Sequence, residues 1–86
     1  MFIQTALGEV INFYSCASLQ AGADDSERTA LRFGKECKSA VSVTFCCGTS
    51  VPIAVYETHA EAVLAVEGFF DAIKAADGYY SFKEDD

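Results

Sequence analysis

The sequence predicts an α+β fold: a curled, mostly antiparallel β-sheet of five to six strands packed on one long α-helix in the C-terminal half, with a short final strand. Three observations predict it. Val41, Val43 and Phe45 alternate with Ser42, Thr44 and Cys46, the alternation of a half-buried strand. Ala62, Val63, Val66, Phe69, Phe70, Ile73 and Ala76 fall in one sector at about 100° per residue, the period of an amphipathic helix. Turn signals built on glycine separate the strand-like runs.

The elements follow in order. Residues 2–6 and 10–14 are rich in strand formers and flank Leu7, Gly8 and Glu9, which reads as a β-hairpin with Gly8 at its tip. Residues 16–20 continue or follow the second strand after a bend. Residues 22–28 have the composition of a loop. Residues 26–38 are ambiguous. A short strand at 29–33 would put Leu31 and Phe33 on one face. A helical turn capped by Asp24 or Ser26 would align Arg28, Arg32 and Lys35. Gly34 argues against a long helix, and the strand is expected. Residues 41–46 and 51–56 form two further strands around Gly48, with Pro52 at a strand start or sheet edge because it lacks an amide hydrogen. Thr58 and Glu61 have the spacing of a capping box, so the helix runs from about 59 to 76 and ends with Gly78 in the left-handed position. Residues 79–82 close the sheet, and 83–86 form a frayed acidic tail. The expected core is Ile3, Val10, Phe13, Leu31, Phe33, Val43, Phe45, Ile53, Val55, Val63, Val66, Phe70 and Ile73.

The chain has 86 residues, enough for one domain spanning 1–86 with a small core. Thirteen acidic against six basic residues give a formal charge of −7. That disfavours direct binding to nucleic acid or to anionic membrane surfaces. No apolar run reaches membrane-spanning length, and no basic region precedes an apolar stretch at the amino terminus, so a cytoplasmic protein is expected. Four of the six bases, Arg28, Arg32, Lys35 and Lys38, lie in one stretch that carries +3 with Glu36 and leaves −10 elsewhere. This basic strip is either a solvated face or a dock for an acidic patch, including one on a second copy.

The cysteines are Cys16, Cys37, Cys46 and Cys47. In a reducing compartment they are expected to be free thiols that act as small buried hydrophobes. Cys46 and Cys47 adjoin in an expected strand, so their side chains would point to opposite faces. The chain has no CxxC pair and one histidine, His59. No metal site, cofactor or catalytic residue is assigned, because the phosphate-loop, dinucleotide, nucleophile-elbow and zinc-protease patterns do not occur.

Beyond the core face of the long helix, Ala65, Gly68, Ala72 and Ala75 form a strip of small side chains, with Leu64 apart from the core. Small residues permit close approach of a second backbone, and Gly68 lowers helix propensity by about 1 kcal/mol relative to alanine. The strip is therefore expected to face outward and to serve a homodimer.

The hairpin Phe2–Thr5 through Gly8–Asn12, the strand entering a helix at Val55, Tyr56, Glu57 and Thr58, and the ending Tyr79-Tyr80 together resemble a loose group of short, uncharacterised bacterial proteins. The segment 22–38 is longer than in that pattern. The resemblance implies an α+β fold and carries no activity with it.

Three functions are compatible with these features. The first is a non-enzymatic, self-associating protein-interaction module, a homo-oligomer with the dimer favoured. The second is a small acidic inhibitor of phage type that occupies a nucleic-acid groove on a protein partner. The third is a small-ligand binder with a pocket between helix and sheet and Cys37, Cys46 or His59 at its mouth.

Overall fold

The computed structural model describes residues 1–83. It is α+β, with six strands in two three-stranded sheets and two helices among the described residues. The elements are β1 (Phe2–Gln4), β2 (Val10–Asn12), a 3-10 turn (Phe13–Ser15), β3 (Cys16–Ala23), α1 (Glu27–Phe33), β4 (Ser39–Phe45), β5 (Ser50–Tyr56), α2 (His59–Lys74) and β6 (Tyr79–Ser81). The first sheet has the order β2-β1-β6 and the second β3-β4-β5. All pairings are antiparallel except β1 with β6.

The single curled sheet expected from the sequence is thus two sheets. The reason lies in β5. Val41 pairs with Ala54 and Ser42 with Pro52, which leaves Ile53 bulged between them. Its carbonyl accepts the Ala6 amide at 2.8 Å, so the end of β1 meets β5 at the bulge and does not run on as its neighbour. A second bulge, between Cys16 and Ser18 in β3, bends the other end of the sheet. Pro52 lies in β5, an outer strand, where its missing amide removes no bond from the centre of the sheet.

Both hairpins turn on a left-handed glycine. The Gly8 amide donates to the Thr5 carbonyl at 2.9 Å and the Gly48 amide to the Phe45 carbonyl at 2.8 Å, with φ of 90° and 93°. That is the turn followed by a glycine bulge of a three-residue hairpin loop. Cys46 and Cys47 consequently sit in the turn, not in the strand expected for them.

Residues 27–33 are helical, which overturns the strand expected at 29–33. Local polar chemistry decides it. Ser26 Oγ accepts the Thr29 amide, and Asp24 accepts both the Ser26 amide at 3.0 Å and the Thr29 hydroxyl at 3.1 Å. Gly34, at φ 69°, ends the helix after seven residues. The expected loop at 22–28 shrinks to three residues, since β3 reaches Ala23 and α1 starts at Glu27. Helical phase also reverses Leu31, which is 76% exposed, while Thr29, Ala30 and Phe33 turn inward.

Helix α2 begins at its capping box: Thr58 Oγ1 accepts the Glu61 amide at 3.2 Å and donates to the Glu61 carboxylate at 3.0 Å. The helix lies on β3, β4 and β5. Phe69 is fully buried, with its ring centroid 5.0 Å from Phe13, 5.8 Å from Tyr80 and 6.1 Å from Phe82. Ile3, Val41, Val43 and Ile53 complete this core, and Leu19 and Phe82 join it. Cys37, Ala40 and Val55 form a smaller cluster with Ala30 and Phe33 of α1. Val10, Phe70 and Ile73, expected inside, are exposed. The expected tail lies outside the described residues apart from Lys83.

The end of α2 departs from the sequence expectation in an informative way. The left-handed residue is Ala76, at φ 58°, and not Gly78. The Asp77 amide reaches the Ala72 carbonyl and the Ala76 amide the Ile73 carbonyl, both at 3.0 Å, which completes a Schellman cap around an alanine. Replacing Ala76 by glycine is expected to stabilise the fold by about 0.5–1 kcal/mol, because a left-handed alanine carries a steric penalty of about 1–2 kcal/mol that glycine avoids and glycine's greater unfolded-state entropy takes part of it back. Phe69→Ala is expected to lose about 3–5 kcal/mol, a large share of the roughly 4–13 kcal/mol available to a domain of this size. Urea unfolding of both variants checks the two signs.

Candidate functional site

The small-residue strip expected to face outward does not lie on one open surface. Ala72 is buried and Ala65 is half-buried against the main core. Gly68 faces Tyr80 of β6: a Cβ built on Gly68 would stand 2.6 Å from the Tyr80 hydroxyl. Only Leu64 and Ala75 of the predicted set are exposed. The helix is rotated from the expected phase because the aromatic residues of β6 fill the flank that the sequence leaves smooth. Gly68 does have a packing reason, and it is intramolecular. A lysine there would strike Tyr80 and report on the monomer, not on a dimer.

The basic strip divides as well. Arg28 and Arg32, one turn apart on α1, line the same hollow against Thr49, Ser50 and Pro52. Lys35 lines a different one with Tyr56, Glu57 and Glu61. Lys38 is exposed, and its amide donates to the Tyr56 carbonyl at 3.2 Å. The Arg32 guanidinium approaches Glu9 at 3.5 Å and stands 5.8 Å from the ring centre of Phe33. Both charged groups of that ion pair are substantially exposed, so its contribution to stability is small.

All four cysteines are free thiols. Cys37 is buried and donates to the Asp24 carbonyl at 2.8 Å. Burial, then the charges of Asp24 and Asp25, push its thiol above the ordinary range. Burial also raises half-buried Cys16, followed by the proximity of Cys46. Cys47 moves the other way. It is exposed, and hydrogen bonding from Thr49, through the hydroxyl first and the backbone second, lowers its pKa.

His59 opens α2 with Nδ1 3.2 Å from the Ser39 hydroxyl. The hydroxyl proton is committed to the Gly22 carbonyl at 2.9 Å. Nδ1 therefore carries the hydrogen and donates to Ser39 Oγ. A general base would have to accept that hydroxyl proton, so this arrangement fastens the start of α2 to β3 and β4 and does not activate a nucleophile. Among the described residues no three His, Cys, Asp or Glu side chains gather in a way that could hold a metal ion. No helix among them is long and apolar enough to cross a membrane.

The feature that sequence reasoning underestimated is β3: residues 16–20 are expected only to continue or follow the second strand, whereas the strand runs from Cys16 to Ala23. It is eight residues long and outermost in its sheet. The Asp24 amide donates to the Lys38 carbonyl at 3.1 Å, which sets the phase of the β3–β4 ladder. Counting back by twos, Gly22, Gln20 and Ser18 bond to β4, and the backbone groups of Ala23, Ala21 and Leu19 point to the open side. The Cys16–Ser18 bulge bends the start of the strand, but from Ser18 onward neither charge nor proline blunts this edge: Val10 through Ala23 contains no charged residue and no proline. That uncharged run is the signal the sequence offered. The opposite outer strand, β5, is occupied by Ala6 at Ile53 and contacted by α1.

Comparison with protein families, with curated proteins and with solved structures gives no match to this chain.

Two outcomes follow from this geometry. Under native conditions an alkylating reagent is expected to reach Cys47 before Cys16 and Cys37. A lowered pKa keeps the thiolate present to lower pH, so Cys47 should hold its reactivity furthest as pH falls from about 9 toward 7. In denaturant all four thiols should react, as intact mass would show. The second outcome concerns Gly68. Gly68→Ala should be offset by displacement of Tyr80 in the native protein, but should stabilise by about 1 kcal/mol in a Tyr80→Phe background, where the obstructing hydroxyl is gone. A double-mutant cycle by thermal unfolding measures this coupling.

Proposed function

We propose that this protein is a non-enzymatic interaction module that pairs with a second copy of itself through the open edge of β3, in a reducing compartment such as the cytoplasm. The observation that carries this reading is an eight-residue outer strand with its open-side backbone groups at Leu19, Ala21 and Ala23 and no charge along it. A twofold axis through such an edge matches it antiparallel to its own copy and joins two three-stranded sheets into one of six strands, a self-complementary arrangement of the commonest oligomer type. The surrounding charge supports the choice of edge. At −7 per chain, two copies repel over most of their surfaces, and an uncharged stretch is where approach costs least. Exposed thiols at Cys46 and Cys47 in one turn favour a reducing environment.

Sedimentation is expected to show a dimer at tens of micromolar, an association of about −6 to −7 kcal/mol. Added salt should tighten it, because screening relieves the repulsion between two acidic chains. Ser18→Lys with Gln20→Lys places like charges across the paired edges and should raise Kd at least tenfold, even though it lowers the overall negative charge. Ala21→Pro should act in the same direction by removing an open-side amide. A native monomer throughout this range, or a dimer indifferent to both variants, would mean the reading is wrong.

A further inference from the structure

Two hollows, an outer and an inner, lie beside α1 with Arg32 and Val51 in common, and they differ in chemistry. The outer one is a hollow of about 370 Å³ lined by Arg28, Arg32, Thr49 and Ser50. The inner one is a hollow of about 230 Å³ whose apolar floor is half-buried Ile11, Phe45 and Val51, with Val43 and Ile53 of the core beneath them. The Arg32 guanidinium therefore stands at the junction of the cationic hollow and the apolar one. Arg28 makes no hydrogen bond or ion pair among the described residues. The one acid lining either hollow is Glu9, which partners Arg32 at the long distance of 3.5 Å.

We propose that this pair of hollows binds a small carboxylate carrying a compact apolar body, an arylalkyl carboxylate in chemical class. The carboxylate lies between Arg28 and Arg32, where guanidinium groups suit its paired oxygens. The ring enters the inner hollow, whose volume exceeds the roughly 150 Å³ known to take a benzene molecule. Charge complementarity selects the anion: in a chain of −7 this is a place where two guanidiniums face one space. The apolar floor selects the body, because a bare inorganic anion leaves that surface in water. Glu9 acts as a stand-in. Its carboxylate neutralises Arg32 when the hollows are empty and competes with the ligand for the same guanidinium.

The test titrates the full chain with 3-phenylpropionate, following backbone amide shifts and heat. The expected result is a Kd on the order of 1 mM or tighter, with the shifts centred on Ile11, Phe45, Val51 and α1. The uncharged 3-phenylpropanamide should bind roughly tenfold more weakly, and so should the acid to Arg28→Gln, an exposed site whose melting temperature should stay at the native value. Glu9→Gln should tighten binding several-fold by freeing Arg32. Equal binding of acid and amide would remove the guanidinium role. Inorganic phosphate binding as well as the aryl acid would remove the apolar role. Either result, shifts centred elsewhere, or no saturation by about 10 mM acid overturns the proposal.

Discussion

The packing of Phe69 is the contact on which the rest of the molecule depends. Its ring meets Phe13, Tyr80 and Phe82 in the arc of chain that belongs to the first sheet. One and two turns earlier on the same helix, Val66 and Ala62 join the core beside β3, β4 and β5. Each three-stranded sheet has an apolar face that must be buried against another layer. A single helix with an aromatic residue in its middle lets them share one. Tyr80 then occupies the helix flank at Gly68, and the first and last strands are bound together as a consequence: β6 lies parallel to β1, and the Gln4 side chain accepts from the Tyr79 and Ser81 hydroxyls at 2.8 and 2.9 Å.

This arrangement explains which parts of the fold are legible from sequence. Elements whose cause is local can be read directly. The Gly8 and Gly48 turns, the Thr58 cap and the alternation of residues 41–45 all act within a few positions, and each appears where its residues place it. The segment 27–33 was also local, but two local signals competed there. Strand parity of Leu31 and Phe33 pointed one way, and the Asp24–Ser26–Thr29 hydrogen bonds pointed the other. Three hydrogen bonds outweigh a two-residue alternation, and Gly34 sets the length of the helix without preventing it.

Elements whose cause is distant could not be read. Nothing near Gly68 says that Tyr80, twelve residues on, will fill the space above it. The helix phase that the sequence implies sets Ala62, Val63, Val66, Phe69, Phe70, Ile73 and Ala76 on the core face. The structure keeps Ala62 and Phe69 inside but adds Ala72 and half-buried Ala65 and leaves Phe70, Ile73 and Ala76 exposed, because small side chains let the helix sit low on the strands while Phe69 supplies the bulk. The division into two sheets depends likewise on one bulged residue, Ile53, whose sequence context differs from any other strand position only by the preceding proline.

The bulge at Ile53 also accounts for the inner hollow beside α1. A sheet that continued from β5 into β1 would bring their backbones to about 4.8 Å along their length and fill the seam. Here the two meet at the Ala6 to Ile53 bond, and beyond it the hairpin diverges. Ile11, Val43, Phe45 and Val51 are left lining a hollow that no side chain of the described residues fills, with Arg32 across its mouth. The same departure from one continuous sheet leaves β3 as an outer strand, since no strand of the first sheet extends round to cover it. An acidic chain would be expected to guard such an edge with its abundant charges, yet the thirteen acids avoid residues 10–23 entirely. Placing even one carboxylate on the open face of β3 would oppose pairing with another chain at little expense to the monomer. Their absence from that stretch is the sequence feature that supports the proposed pairing through this edge.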